Sequence, residues 1–262
     1  FRIIMAASGI KASKKGNIQW IIFDNPRRKN AIPVEGYATI LSALDEAAED
    51  PEIFLVVFTG EGSFYSSGND FSADQLSKIA TDDPDQEQNY SRWVRRLIDH
   101  PKIIIGLVNG PCIGIACTTL SLFDYVVCSS DAYFSTPFPS IGVCPEGVSS
   151  LTFPALLGRS KANEILLFGE PLSAAAALQH GFVGRVFPAA EFRAKAEEMI
   201  ARIGQLPPHS VLASKKLMRT DSIRNEMHTA NRHEHTILKK LFNSEETVNL
   251  IFNKFNKGKA KM

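Results

Sequence analysis

Two short apolar runs, residues 17–23 and 53–59, are fenced by Gly, Asp and Pro and read as buried strands. The stretch between them, residues 33–49, sets Val34, Tyr37, Ile40, Leu41 and Leu44 on one helical stripe, with Pro33 suited to its first turn. Strand, helix, strand is the pattern of a crossover unit, and it recurs. A helix is expected over 90–99, a strand over 103–108, a helix of small residues over 114–122 and a strand over 125–128. Such repetition favours an α/β fold with helices outside the sheet. Beyond Val148 the chain turns helical, over 151–157, 161–168, 174–180 and 192–203, with one short strand at 183–187. Residues 211–218, 223–242 and 245–255 form a helical tail too amphipathic to stand alone, so it should pack on the body or on a neighbouring subunit.

No repeat of fixed period and no glycine-serine linker divides the 262 residues. The expected organisation is a core domain over 1–200 and a helical extension over 201–262. The acidic stretch 81–88 reads as a solvated loop. With 29 Lys+Arg against 28 Asp+Glu, the chain lacks the charge footprint of a nucleic-acid binder, and no nucleic-acid partner is expected. Its apolar runs fall well short of the roughly 20 residues that span a bilayer, so membrane insertion is not expected. Cys112, Cys117, Cys128 and Cys144 show no metal-ligand or disulfide spacing, which suits a reducing compartment. A chain that begins at Phe1 is expected to be processed or shortened, with any preceding segment out of view.

Three segments place glycine where a strand hands over to a helix or loop. In Phe64-Tyr65-Ser66-Ser67-Gly68-Asn69-Asp70-Phe71, backbone N–H groups either serve a simple turn or face an anion or a polarised carbonyl. In Val108-Asn109-Gly110-Pro111-Cys112-Ile113-Gly114-Ile115-Ala116, two glycines lead into a helix whose free N–H groups start at Gly114 and Ile115; close packing on the sheet is the plainer explanation. The third segment, residues 135–150, holds a single carboxylate, Glu146, between Pro145 and Gly147. It is either an ordinary loop acid or a buried base with a raised pKa.

Together these segments resemble the crotonase, or enoyl-CoA hydratase/isomerase, superfamily. Further marks are Asn25-Pro26-Arg27-Arg28-Lys29-Asn30-Ala31, Phe134-Ser135-Thr136-Pro137, Gly181-Phe182-Val183 and Val186-Phe187-Pro188, and their order spans nearly the whole chain. The resemblance implies a ClpP/crotonase-like α/β fold of repeated ββα units with a helical C-terminal extension. It implies an acyl-CoA thioester as substrate and an oxyanion hole from the N–H groups of Asn69 and Ile115. CoA is expected along Lys29, Asn30 and Ala31, along Ser66, Ser67, Gly68, Asn69 and Asp70, and at Gly114. Arg28 and Lys29 either meet CoA phosphates or stay solvated in a turn. The two glutamates of the family's hydratases are matched by Thr118 and Phe138, neither of which carries a proton as a carboxylate does. Glu146 matches the single base of the Δ3-Δ2-enoyl-CoA isomerases, and the nearest likeness is to the peroxisomal type. Hydration, thioester hydrolysis and a non-catalytic acyl-CoA-binding role are the alternatives.

The same resemblance implies a homotrimer or a pair of trimers, and no cofactor beyond the CoA of the substrate. No metal site is expected: His228, His233 and His235 lack zinc-protease spacing, and neither a G-x-S-x-G elbow nor a P-loop occurs. Ala260-Lys261-Met262 resembles a variant of the Ser-Lys-Leu address, which points to the peroxisome, with the mitochondrion as alternative.

Overall fold

The computed structural model describes residues 8–72, 74–75 and 88–256. The acidic stretch, apart from Gln88, and the terminal Ala-Lys-Met therefore lie outside the described residues. Strands β1 (Ile10–Lys15), β2 (Ile18–Phe23), β3 (Leu55–Gly60), β4 (Ile103–Val108), β6 (Tyr125–Ser129) and β9 (Arg185–Phe187) form one sheet in the order β1-β2-β3-β4-β6-β9. β1 pairs antiparallel with β2, and every later pairing is parallel. β5 (Cys112–Ile113), β7 (Tyr133–Ser135) and β8 (Leu172–Ser173) make a small second sheet.

The β3 and β4 runs are continuously apolar because both faces of the main sheet are covered. Alternate residues serve opposite sides. Val56, Phe58, Ile104 and Val108 join a core with Tyr37, Ile40 and Leu44 of α1 (Val34–Glu49) and Trp93, Val94 and Leu97 of α2 (Asn89–Asp99). Leu55, Val57, Ile105 and Leu107 join a second core on the far face, and there Phe192, Met199 and Ile200 of α7 (Phe192–Ile203) cover them.

Two local expectations are corrected. The helix expected over 114–122 is a single α turn, α3 (Ile115–Thr118), followed by a 3-10 turn over Thr119–Leu122. Gly114, at φ 61 and ψ −133, blocks an earlier start, and the Thr118 and Thr119 hydroxyls donate back to the Ile115 carbonyl at 3.2 and 2.8 Å. The strand expected from 183 begins at Arg185, since Gly184 turns beneath the Tyr125 ring and donates to the Val126 carbonyl. The four cysteines are free thiols, three of them buried.

The helices α4 (Ser149–Leu157), α5 (Arg159–Leu166) and α6 (Ala174–Gln179) lead toward β9 and α7, and α8 (Pro208–Met218), α9 (Asp221–Phe242) and α10 (Glu245–Asn256) follow. α8 is anchored by Lys215, which reaches Asp124 at 2.7 Å in a nearly dry environment. α9 lies along α2, where His235 Nδ1 and the Tyr90 hydroxyl are 2.7 Å apart and Leu238 enters the main core. The Thr247 hydroxyl of α10 donates to the Gly142 carbonyl at 2.8 Å. No helix among the described residues is long and apolar enough to cross a membrane.

Candidate active site

The loops after β2, β3 and β4 lie side by side. Ile32 bridges Asn69, and Ser66 bridges Cys112, both in parallel sense. Asn30 knits the first two loops together. Its side-chain oxygen accepts from the Asn25 N–H at 2.9 Å, and its amide donates to the Glu61 and Phe64 carbonyls at 2.8 and 2.7 Å. Its own carbonyl accepts from the Ser66 hydroxyl at 2.7 Å. Ser66 in turn accepts from the Gly68 N–H at 3.1 Å. Asn30 and Ser66 are thus fully buried and spent on shaping the loops, while Lys29, Ala31, Ser67, Asn69, Asp70 and Gly114 line the open cleft.

Gly68 has two independent reasons to be glycine. Its φ of +82 is left-handed, and a Cβ there would lie 2.7 Å from the Ile113 carbonyl oxygen. The close approach sets Asn69 beside Gly114 and Ile115. Among the described residues, the N–H groups of Asn69 and Ile115 have no backbone or side-chain acceptor. The Asn69 side chain is tied down by the Tyr37 hydroxyl, which donates to its Oδ1.

Glu146 comes from the loop ahead of α4. Gly147 and Val148 are both left-handed, at φ 71 and 65, and the Ser149 hydroxyl donates to the Glu146 carbonyl at 2.7 Å. A Cβ at Gly147 would collide with Thr118, so the loop presses on α3 and brings Glu146 to the residues flanking the Ile115 N–H. Glu146 is 4% exposed, and among the described residues no donor reaches its carboxylate. Burial, with a smaller contribution from the Glu234 charge, raises its pKa from the ordinary carboxylate value of 4.5 to about 8.

Glu146 lines two spaces that share part of their walls. The larger is a cleft of about 720 Å³ running from Arg27, Arg28 and Lys29 past Ile115 to Phe138 and Phe242. The smaller, about 70 Å³, lies behind Asn69 against Tyr37, Tyr90 and Phe71. The described carboxylates of the cleft are Asp70, Asp74 and Glu146. Asp70 is held by Arg28 at 3.0 Å, and Asp74 is exposed and accepts from the Gln75 side-chain amide at 3.3 Å. Thr118 is buried without lining the cleft, whereas Phe138 forms part of its wall. One buried, uncompensated base beside two unpaired N–H groups can take a proton from carbon next to a carbonyl whose oxygen those N–H groups hold.

Several residues of this site carry no mark in the chain. Tyr37 and Tyr90 sit in helical apolar stripes and read as core; Phe242, Glu234 and Lys254 come from the tail, some 90 residues or more beyond Glu146 in sequence. No spacing signal links positions so far apart.

A family model described as enoyl-CoA hydratase/isomerase matches residues 13–257. Rat enoyl-CoA delta isomerase 2 is 38% identical over 252 residues, covering 94% of this chain and 63% of the rat protein, so the chain spans less than two thirds of that relative's length. Mouse peroxisomal enoyl-CoA delta isomerase 3 is 35% identical, covering 97% of this chain and 80% of the mouse protein. The crystal structure of an enoyl-CoA hydratase/isomerase from Pseudoalteromonas atlantica superposes with a TM-score of 0.86 at 29% identity over 95% of this chain and 97% of that one. With a matching family model over nearly its full length and relatives 35 and 38% identical over 97 and 94% of it, the chain belongs to the enoyl-CoA hydratase/isomerase family.

Proposed function

We propose that the protein is a Δ3-Δ2-enoyl-CoA isomerase of fatty-acid breakdown with Glu146 as its single acid-base group. The carrying observation is Glu146 itself: buried, without a counter-ion, raised to about 8, and facing a cleft with Phe138 in its wall and Thr118 buried behind it, so that neither position supplies a second carboxylate. Hydration asks for a second acid-base group to deliver and activate water, whereas moving a double bond asks for one. In this reading the carboxylate takes the proton from C2 of the 3-enoyl thioester. The electron pair delocalises into a dienolate, and the same carboxyl returns the proton to C4. The Asn69 and Ile115 N–H groups meet the charge growing on the thioester oxygen, a donor of this kind being worth about 3 to 4 kcal/mol in the transition state.

The Arg27-Arg28-Lys29 rim fits the phosphates of CoA, with Lys29 steadied over the Phe64 ring at 5.3 Å. CoA enters as part of the substrate, and the proposed chemistry uses no further cofactor. The rat and mouse relatives are named as isomerases, which supports the reaction, and the mouse protein's name supports a peroxisomal location. The test is turnover of a 3-enoyl-CoA by wild type and by Glu146→Gln, with water addition to a 2-enoyl-CoA assayed in parallel. The variant should lose at least about 100-fold in kcat while still binding CoA. Hydration by wild type at rates rivalling isomerisation overturns the reading.

A further inference from the structure

A second buried glutamate lies directly behind the first. Glu234, 6% exposed on α9, reaches across to the start of α4. Its Oε2 accepts the Val148 N–H at 2.7 Å, and its Oε1 accepts the Ser150 N–H at 2.9 Å and the Ser150 hydroxyl at 2.6 Å. The turn it grips is Glu146-Gly147-Val148, in which Val148, a β-branched residue, is held at φ 65. β-Branched side chains resist that conformation, so the surrounding contacts must impose it. An ordinary N-cap would come from the residue beside the helix, and α4 has none: Val148 at that position offers no side-chain acceptor. The acceptor comes instead from a helix 86 residues further along the chain.

We propose that Glu234 is the positioning residue for Glu146, fixing the turn that aims the base into the cleft and setting a second negative charge behind it. The proposal rests on the isomerase reading for what the base does. Its geometry stands apart from the reaction: a carboxylate that holds both N–H groups past the turn leaves Glu146 little freedom to swing. The ionisable groups around the base are Tyr37 from α1, Tyr90 from α2, Asp70 with its ion-pair partner Arg28 from the neighbouring loops, Cys144 from its own loop and Glu234 from α9, while α3 presents the uncharged Thr118. His233 lies near Glu234 and favours its charged form. Glu234 is thus the carboxylate whose charge opposes that of Glu146, and burial is the larger influence on both. Like charges placed close together in a dry environment disfavour double ionisation.

Two substitutions separate geometry from charge. Glu234→Asp keeps the charge and shortens the grip, so kcat should fall, by up to about 100-fold for a displacement near 1 Å, with KM and the midpoint of the kcat–pH limb unchanged. Glu234→Gln removes the charge and sets an NH2 against a backbone N–H, so kcat should fall and the limb should move to lower pH, still above the ordinary carboxylate range because burial remains. Wild-type kcat and limb in both variants, with only the melting temperature lowered, would reduce Glu234 to a helix cap and overturn the proposal. Should neither variant fold, the wild-type Glu234 carboxyl followed by carbon-13 NMR should show, besides its own titration, a second inflection near pH 8 as Glu146 ionises beside it, and Glu146→Gln should abolish that second inflection. A wild-type signal without the second inflection overturns the proposal. Because that titration needs no turnover, it separates this inference from the isomerase reading, which fails instead if wild type leaves 3-enoyl-CoA unchanged.

Discussion

At the residue scale, Glu146 is a group whose burial disfavours its charged form, with no donor among the described residues to offset the cost. A base held near 8 abstracts a proton better than one at 4.5 once it is ionised, so kcat/KM for a 3-enoyl-CoA should climb with pH to a midpoint near about 8. The same shift has a stability consequence of definite sign. Between about 4.5 and about 8 the folded state keeps the Glu146 proton and the unfolded chain has lost it, so this contribution is complete below 4.5 and disappears as pH rises through 8. Melting temperatures of wild type and Glu146→Gln, compared at pH 5 and pH 9, should therefore move in the variant's favour at the higher pH. Gly68 supplies the other residue-scale expectation. Gly68→Ala would force a left-handed alanine and a Cβ 2.7 Å from the Ile113 carbonyl, and should destabilise by about 1 to 3 kcal/mol in urea unfolding while impairing turnover by shifting the Asn69 N–H.

At the scale of elements, the cleft depends on three loops being stitched edge to edge, and Asn30 is the stitch. Asn30→Ala removes the acceptor of the part-buried Asn25 N–H and the amide donor to the Glu61 and Phe64 carbonyls, each bond being worth about 0.5 to 1.5 kcal/mol net. The expected outcome is a marked drop in the urea midpoint together with a raised KM for acyl-CoA, since the Lys29 rim rides on the same loop. The long elements were legible in the chain because their periodicity is strong. α1, α2, β3 and β4 lie within a residue or two of their expected bounds. β1 was not read: Ile10 and Ala12 alternate with Lys11 and Ser13 over too short a stretch, and only pairing with β2 around the Gly16 turn makes a strand of it. β5, β7 and β8 are two or three residues each, and no local pattern distinguishes such strands from loops.

At the scale of the whole molecule, the tail divides its tasks. α9 closes one side of the cleft, with Leu238 and Phe242 in its wall, and carries Glu234 to the Glu146 turn. α8 leaves Leu217 and Met218 80% and 69% exposed, an apolar surface that burial against a second copy would remove from water. If this surface joins two copies, replacing both with Lys should lower the molar mass measured by light scattering, whereas an unchanged mass would rule the surface out as a subunit contact.

The sequence by itself determined the alternation of apolar runs and helical stripes, the glycines at 68 and 114, and the isolation of Glu146 from other charge in its own segment, because periodicity and backbone conformation are local properties. Which residues surround that carboxylate was decided by tertiary structure. Burial is a property of the folded whole, and the partner behind the Glu146 turn lies 88 positions along the chain. Between positions so distant only the packing of α9 onto α2 and α4 establishes contact, and with it the strained turn and part of the raised pKa of the carboxylate proposed as the base.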